Sequence, residues 1–168
     1  MSSDLRYAAP ELPDASAMWQ IARDIGLDQN SPYKYLVFCR DFRGTSTIAR
    51  DGAEPVGFVT GYLRPAAPDT LFVWQIGVVE KLHGRGIAHR MLDELATRLA
   101  PDVRYLEASI TPDNAASNRL FTRFAERRDA HWERAPLFDS ELFPYPHPDE
   151  VLIRIGPFRR ALNDTPRI

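Results

Sequence analysis

The sequence predicts an α/β (α+β) fold in which a mixed β-sheet is flanked by helices. Segments with helical and with strand periodicity follow one another in the order α, α, β, β, β, α, β, α, β. The 168 residues are enough for one domain with a core, and contents of 44% hydrophobic and 26% charged residues are ordinary for a globular protein. We therefore expect a single domain over residues 1–168, with its core at about 15–158 and flexible termini.

Two helices are expected near the N-terminus. Asp14 is placed to cap the first helix and Gly26 to end it. Ser31 followed by Pro32 is typical of a helix start, with a capping hydroxyl and then a proline at the first helical position. Apolar residues recur at helical spacing in both segments: Met18, Ile21, Ala22 and Ile25 in the first, and Tyr35, Leu36, Cys39 and Phe42 in the second.

Three strands are expected next. Residues 45–49 and 56–63 read as strands on either side of a turn at 51–55, which holds a glycine and a proline. Residues 64–69 contain two prolines, which predicts a loop. The nearly all-apolar run 71–79 is typical of a strand in the centre of a sheet.

The second half of the chain predicts two helix–strand pairs. Residues 87–99 carry apolar side chains at helical spacing, and residues 102–110 alternate between two faces as in a strand. Residues 112–114 open a further helix with an aromatic face. The aromatic-rich segment 125–150 is expected to be irregular, and residues 151–155 to form the last strand.

The motif at residues 83–88 carries the strongest functional signal. It reads His-Gly-Arg-Gly-Ile-Ala and lies between the predicted central strand and the following helix. A glycine turn at a helix N-terminus presents unpaired backbone N–H groups, which bind phosphate with the help of the helix dipole. This indicates a phosphorylated cofactor, although a plain strand-to-helix turn has the same pattern. A dinucleotide site fits less well, because His89 stands where a third glycine or alanine is expected, and the absence of Gly-Lys-Ser/Thr excludes a P-loop.

Composition narrows the range of partners. The net charge of −2 gives no support for binding nucleic acid, which usually requires a basic face. No apolar run approaches the length of about 18 residues that suggests a membrane span. Cys39 is the only cysteine, so neither an intrachain disulfide nor a cysteine cluster for a metal is expected. We expect a cytoplasmic protein that binds no metal, no nucleic acid and no membrane.

Residues 45–125 resemble the GCN5-related N-acetyltransferases. Gly86 and Ala88 match the family's acetyl-CoA loop pattern, Arg/Gln-x-x-Gly-x-Gly/Ala, with His83 in place of Arg or Gln. A second family mark, an asparagine followed by alanine and an aromatic helix, is met by residues 114–121. The resemblance implies the GNAT fold, with a mostly antiparallel sheet splayed at a bulge of the central strand, and acetyl-CoA as co-substrate.

The resemblance also implies where acetyl-CoA binds. The glycine loop would grip the diphosphate, and a backbone N–H at a bulge near residues 76–78, where Gly77 fits, would polarise the thioester carbonyl. Phe121 replaces a tyrosine that protonates the leaving thiolate in many members, so that acid must be another group or water. The cofactor-binding residues expected on this basis are Ile76, Val78, His83, Gly84, Arg85, Gly86, Ile87, Ala88 and Asn114.

A narrower resemblance covers about residues 15–158. Segments 27–36, 56–62, 68–78 and 106–112 and the tail before residue 158 are similar to the diaminobutyrate acetyltransferases of ectoine biosynthesis. This implies acetyl transfer from acetyl-CoA to the 4-amino group of L-2,4-diaminobutyrate, and a homodimer. Two other interpretations stay open. One is an acetyltransferase for another small amine or a protein N-terminus, and the other is a non-catalytic acetyl-CoA-binding module, which the phenylalanine in place of tyrosine favours.

The implied chemistry needs a proton acceptor, because an alkyl amine with a pKa of about 10.4 is mostly protonated at neutral pH. Asp28 and Glu107 are the best candidates for this catalytic role. Asp28 alternatively binds a substrate ammonium group or only caps a turn, and Glu107 alternatively forms an ion pair at the sheet surface. The residues expected to bind the substrate, together with Asp28, are Tyr33, Trp74, Thr111 and His147.

Overall fold

The computed structural model describes residues 4–28 and 30–159, which form a seven-stranded sheet flanked by four helices. The strands are β1 (Leu5–Ala8), β2 (Thr47–Asp51), β3 (Glu54–Arg64), β4 (Ala67–Val78), β5 (Tyr105–Ile110), β6 (Trp132–Phe138) and β7 (Glu150–Ile155). The helices are α1 (Asp14–Asp24), α2 (Pro32–Arg40), α3 (Ile87–Arg98) and α4 (Ala115–Arg127). The strand order is β1-β2-β3-β4-β5-β7-β6, in which β4 and β5 run parallel and every other neighbouring pair is antiparallel. The predicted mixed, mostly antiparallel sheet is confirmed.

The sheet separates two apolar layers. α1 and α2 cover one face, where Met18 and Tyr35 pack with Phe58 of β3. α3 and α4 cover the other face, where Met91 and Phe124 belong to a larger core that includes residues of β3, β4, β5 and β7. Burial of each large apolar side chain contributes about 1.5–3 kcal/mol. The two layers therefore fix the strands from which the site is built.

Two predicted helix signals are confirmed. The Ser31 hydroxyl accepts a hydrogen bond from the N–H of Tyr33 at 3.1 Å and so caps α2. Gly26 ends α1 with a φ of +72°, and the N–H of Leu27 donates to the carbonyl of Ala22 at 2.9 Å, as in a Schellman turn. The chain therefore leaves α1 in a fixed direction.

Other helix predictions are wrong. Asp14 is the first helical residue and not the cap of α1, because its buried carboxylate accepts from the N–H of Glu11 at 2.8 Å and pairs with Arg50 of β2. Phe42, expected to continue the helical spacing, lies beyond the end of α2, and both it and Leu36 are exposed. The inward residues of α2 are Tyr35, Phe38 and Cys39.

Two segments predicted to be irregular contain strands. Residues 67–69 belong to β4, because the chain reverses in a two-residue turn after Arg64. Pro68 is tolerated there because β4 pairs with β5 only from Thr70 onwards. β6 lies within residues 125–150 and is almost entirely exposed, so it lacks the apolar alternation by which strands are recognised. Strand β1 is too short to show a period, and residues 1–3 and 160–168 lie outside the described residues.

The bulge of the central strand lies at Trp74 and not near Gly77 as predicted. Consecutive residues of β3 lie opposite Gln75 and Val73, so Trp74 is the extra residue of β4. Gly77 is regularly paired, and a Cβ on it would lie 2.7 Å from Cδ1 of Ile25. This glycine therefore allows close packing against the end of α1.

The bulge also changes which residues of β4 face each layer. Before it, Leu71 and Val73 belong to the core under α3 and α4; after it, Ile76 and Val78 do. Trp74 and the residue after it both contact side chains of α2. A continuous apolar run conceals this change of phase, which is why the sequence does not locate the bulge.

Candidate active site

A gap opens in the sheet where β4 and β5 separate. Their parallel pairing runs from Thr70 opposite Tyr105 to Val73 opposite Ala108 and ends there, directly before the bulged Trp74. A cleft of about 990 Å³ occupies this region. It is lined by residues of β3, β4, β5 and α4 and of the segments before α2 and β7, and its size suits a substrate-binding site.

Two backbone donors of β4 face the gap. The N–H of Gln75 donates to Oγ1 of Thr60 at 3.2 Å, and the N–H of Val79 donates to a β3 carbonyl at 2.9 Å. Because the N–H groups of a strand alternate in direction, those of Ile76 and Val78 point away from β3. They are placed to pair with an extended ligand or to polarise a carbonyl.

The glycine loop follows β4 and leads into α3. Gly84 and Gly86 both have a φ of +75°, a left-handed conformation that glycine adopts without strain, and a Cβ on either would meet open space. The N–H of Arg90 donates to the carbonyl of Gly86 at 3.1 Å. The N–H groups of Ile87 and Ala88 therefore precede the first bond of the helix ladder. Open space, backbone donors and a helix dipole together suit a diphosphate.

Two side chains predicted to bind the cofactor have structural contacts. Nε2 of His83 lies 2.8 Å from the carbonyl oxygen of Val78, and since a carbonyl only accepts, Nε2 carries the hydrogen. The residue in the Arg/Gln position thus ties the glycine loop to the end of β4. Oδ1 of Asn114 caps α4 by accepting from the N–H of Ser117 at 3.0 Å, and Asn114 also lines the cleft.

Asp28 and Trp74 line the cleft, as their predicted roles require. The loop that carries Asp28 is tied to β4, because Nε2 of Gln75 donates to the Asp28 carbonyl at 3.1 Å. Oε1 of the same buried glutamine accepts from Nζ of Lys34 at 2.9 Å and from the Tyr35 hydroxyl at 2.8 Å. This network holds the Asp28 loop beside the bulge.

Lys34 is a charged residue near the cleft that the sequence prediction does not include. Its Nζ lies 4.5, 5.0 and 5.7 Å from the ring centroids of Trp74, Tyr35 and Phe38. Burial lowers the pKa of Lys34 to about 8, and the charge of Asp28 opposes that shift. The rings stabilise the ammonium form by cation–π attraction. The contact of Lys34 with Trp74 depends on the bulge, whose position no local sequence pattern reveals.

The carboxylate of Glu107 is engaged in ion pairs. The residue lines the cleft but is only 2% exposed. Nη1 of Arg64 lies 3.0 Å from Oε2, and Arg154 contacts Oε1. Guanidinium donors thus bond to both oxygens, which favours the ion-pair interpretation over the predicted role as proton acceptor.

A further carboxylate, that of Glu150, lines the cleft and is missing from the predicted site. Its Oε2 accepts from the Ser109 hydroxyl, and its Oε1 lies 3.7 Å from Nε2 of His147. The His147 ring stacks on Phe143 with 3.9 Å between centroids. Its Nδ1 lies 2.6 Å from the Pro148 carbonyl and so carries a hydrogen, which leaves Nε2 facing the carboxylate. Only the pairing of β5 with β7 brings Ser109 and Glu150 together.

Of the other two residues predicted to bind the substrate, one lines the cleft and one does not. Thr111 lines the cleft, whereas Tyr33 does not. Tyr33 lies in the first turn of α2 and is 70% exposed, because the inward face of that helix begins two residues later. Phe121 is a buried part of the cleft wall. Within the described residues, no group of three or more His, Cys, Asp or Glu side chains is arranged for a metal ion.

Comparison with known proteins identifies the family. Residues 15–125 match the acetyltransferase (GNAT) family. An L-2,4-diaminobutyric acid acetyltransferase of Streptomyces coelicolor is 54% identical over 160 residues, which cover 92% of this chain and 94% of that protein. One of Shouchella clausii is 42% identical over 157 residues, which cover 92% and 88%. The chain belongs to the L-2,4-diaminobutyric acid acetyltransferases, within the GNAT family.

Solved structures agree with this membership. The diaminobutyrate acetyltransferase EctA from Paenibacillus lautus, in complex with its substrate L-2,4-diaminobutyric acid and coenzyme A, is 36% identical and matches with a TM-score of 0.90 over 96% of this chain and 100% of that one. Ard1 from Thermoplasma volcanium, at 12% identity and a TM-score of 0.72 over 90% and 97%, shares the fold alone. Both levels of the resemblance predicted from sequence are confirmed.

The general GNAT match ends at residue 125, before β6 and β7. In this diaminobutyric acid acetyltransferase the matched part supplies the glycine loop and the backbone donors of β4. The part beyond residue 125 contributes His147 and Glu150 to the cleft. No helix among the described residues is long and apolar enough to cross a membrane.

Proposed function

We propose that this chain transfers the acetyl group of acetyl-CoA to the 4-amino group of L-2,4-diaminobutyrate, giving N4-acetyl-L-2,4-diaminobutyrate, the first committed step to ectoine. The cleft carries the proposal, because backbone donors at the separated strands share one space with the carboxylates of Asp28 and Glu150. Membership of the family, and similarity to a structure that holds diaminobutyric acid and coenzyme A, support this substrate.

The residues around the gap fit acetyl-CoA, which supplies the activated acyl group. The backbone around Gly84 and Gly86 would hold the diphosphate, and the N–H groups of Ile76 and Val78 would pair with the extended pantetheine arm. One of these two donors also stabilises the negative charge that develops on the thioester oxygen. A single donor of this kind contributes about 10²–10³ in rate.

Deprotonation of the acceptor is assigned to Glu150. The reacting amine must be neutral, and an alkylammonium has a pKa of about 10.4. The Glu150 carboxylate lines the cleft, with one oxygen fixed by Ser109 and the other near His147. It accepts the proton of the 4-ammonium group, and His147 is the next site to which that proton can pass. Asp28 is assigned to binding an ammonium group of the substrate.

The leaving thiolate needs little assistance. A thiolate whose thiol has a pKa of about 8.5 is only weakly basic, so it is a good leaving group and departs without a strong acid. This accounts for Phe121 in the place where many members have tyrosine. The hydroxyl-bearing residue Ser117, one turn earlier on α4, also lines the cleft and can donate a hydrogen bond to the sulfur.

A peptide or polyamine acceptor is disfavoured by the segment 137–148. Its rings of Phe138, Phe143 and Tyr145 line the cleft and narrow the access that a chain-like acceptor would need. The test is a panel of amines with acetyl-CoA, read by release of the coenzyme A thiol and by NMR of the product. Turnover of polyamines or peptides but not of diaminobutyrate would overturn the proposal. Coenzyme binding without turnover of any amine would favour a non-catalytic module.

A homodimer and a cytoplasmic location are also proposed. β6 is an edge strand with almost every residue exposed, among them Trp132 and Phe138. Such edges pair readily with another strand. Light scattering should give twice the chain mass of 19.1 kDa, and a monomeric mass would contradict the dimer. The free, buried thiol of Cys39 supports a reducing compartment.

A further inference from the structure

Arg64 is the one lysine or arginine among the described residues that line the cleft. It ends β3, beside the turn into β4. Four carboxylates line the same space, those of Asp28, Glu107, Asp113 and Glu150. An acceptor with two ammonium groups and one carboxylate therefore meets several anions and a single permanent cation.

A buried chain of charges holds Arg64 in place. Glu107 accepts from Nη1 of Arg64 at 3.0 and 3.3 Å and from Arg154 on its other side. The Arg154 guanidinium is fixed in turn, since it lies 3.9 Å over the ring centroid of Tyr105. Two guanidinium groups share one carboxylate, so the triad has a net positive charge, and Arg64 is its more exposed cation.

Arg64 retains hydrogen-bonding capacity. An arginine has five N–H donors, and within the described part of the chain the hydrogen bonds of Arg64 involve Nη1 alone. The side chain is 40% exposed. Its Nε and Nη2 form the edge of a guanidinium that binds both oxygens of a carboxylate.

The triad lies near the closed end of the gap. Glu107 is opposite Phe72, one position before the last pair of β4 and β5, Val73 with Ala108. The backbone donors of β4 lie beyond that point. In diaminobutyrate the carboxylate carbon and the 4-amino nitrogen are four bonds, about 5 Å, apart. A substrate whose carboxylate contacts Arg64 therefore directs its 4-amino group towards the open part of the gap.

We propose that Arg64 binds the α-carboxylate of the acceptor and thereby selects α-amino acids over plain diamines. The inference rests on the proposed function, since it requires an acceptor that carries a carboxylate. A diamine without that group leaves the guanidinium unpaired, which is the kind of difference that enzymes discriminate strongly. Glu107 is then a positioning residue, which acts through Arg64.

The test compares L-2,4-diaminobutyrate with 1,3-diaminopropane, which is the same molecule without the carboxylate. For Arg64→Gln we expect kcat/KM for diaminobutyrate to fall by about 10- to 100-fold, mainly through KM, because hydrogen bonds to a charged group are lost. The kcat/KM for 1,3-diaminopropane, or its inhibition constant where turnover is slow, should stay within about threefold of wild type.

Two further variants complete the design. Arg64→Lys keeps the charge without the paired donors and should recover part of the loss; it also decides the question should Arg64→Gln not fold. Arg6→Gln, at an exposed position of β1, is the control and should leave kcat/KM for both amines unchanged. Equal losses on both amines, or none on diaminobutyrate, would overturn the assignment of Arg64. A wild-type protein inactive on diaminobutyrate would overturn the proposed function instead, and this inference with it.

Discussion

Replacement of Glu150 by glutamine tests the proposed proton transfer most directly. Glutamine has nearly the same shape and keeps an oxygen that can accept from Ser109, so the fold and the cleft should be preserved. It cannot take up a proton. The reaction then depends on acceptor molecules that are already neutral when they bind.

The expected loss follows from the amine. With a pKa of about 10.4, roughly one alkylammonium in 2,500 is neutral at pH 7. General bases contribute about 10²–10⁴ in rate, which brackets this fraction. We therefore expect kcat/KM at pH 7 to fall by about 10³ in Glu150→Gln. The variant should regain about tenfold for each pH unit between 7 and 9, because the neutral fraction grows in that proportion.

The assay follows thiol release with saturating acetyl-CoA at several pH values. Glu126→Gln is the matched control, because Glu126 is an exposed residue of α4 that does not line the cleft, and it should behave as wild type. Activity of Glu150→Gln within a few-fold of wild type at pH 7 would refute the assignment. Asp28→Asn would then be the next variant to examine, since the Asp28 carboxylate lines the cleft and forms no salt bridge among the described residues.

Three further variants test other parts of the structure. Gly86→Asp should abolish binding of acetyl-CoA, measured by calorimetry, because it places a negative charge at the diphosphate. Gly52→Asp, at another glycine with positive φ, is the control and should bind normally. Normal binding by Gly86→Asp would argue against the loop assignment. Gly77→Ala should destabilise the fold by about 1 kcal/mol, or about 2–4 °C in Tm, because its Cβ would lie 2.7 Å from a side-chain carbon. It should also raise KM for diaminobutyrate through the adjoining loop. Gly44→Ala is the control, because a Cβ on Gly44 would meet open space. Lys34→Met should reveal the effect of burial, which lowers the pKa of Lys34 to about 8 from 10.5. The unfolded chain holds that proton more tightly, so the stability of wild type relative to the variant should rise from pH 8 towards 10.5; a Tm difference that does not change with pH contradicts this.

Signals that depend on neighbouring residues were sufficient for part of this architecture. The cap at Ser31, the end of α1 at Gly26 and the glycine loop around Gly86 each involve residues within a few positions of one another. The family and its acetyl donor follow from the same kind of local motif.

Contacts that depend on strand pairing could not be predicted in this way. Ser109 and Glu150 meet only because β5 and β7 are adjacent, and the same pairing brings Arg154 to Glu107. The position of the bulge is equally hidden, because the residues around Trp74 are almost uniformly apolar. The sequence therefore did not indicate Glu150 as a residue of the cleft, although most of the residues named for the substrate site do line it.

Because Trp74 is an extra residue in β4, the faces of this strand depend on how many residues it contains. Because Trp74 and Gln75 both face α2, deletion of this one residue would remove the bulge and leave Gln75 and Ile76 on their present faces. Deletion of one more residue would shift the far half of the strand by one position and so exchange its two faces. Changes to this strand should therefore be substitutions. Changes in length belong in the segment after residue 125, because they leave the glycine loop and the backbone donors of β4 unchanged.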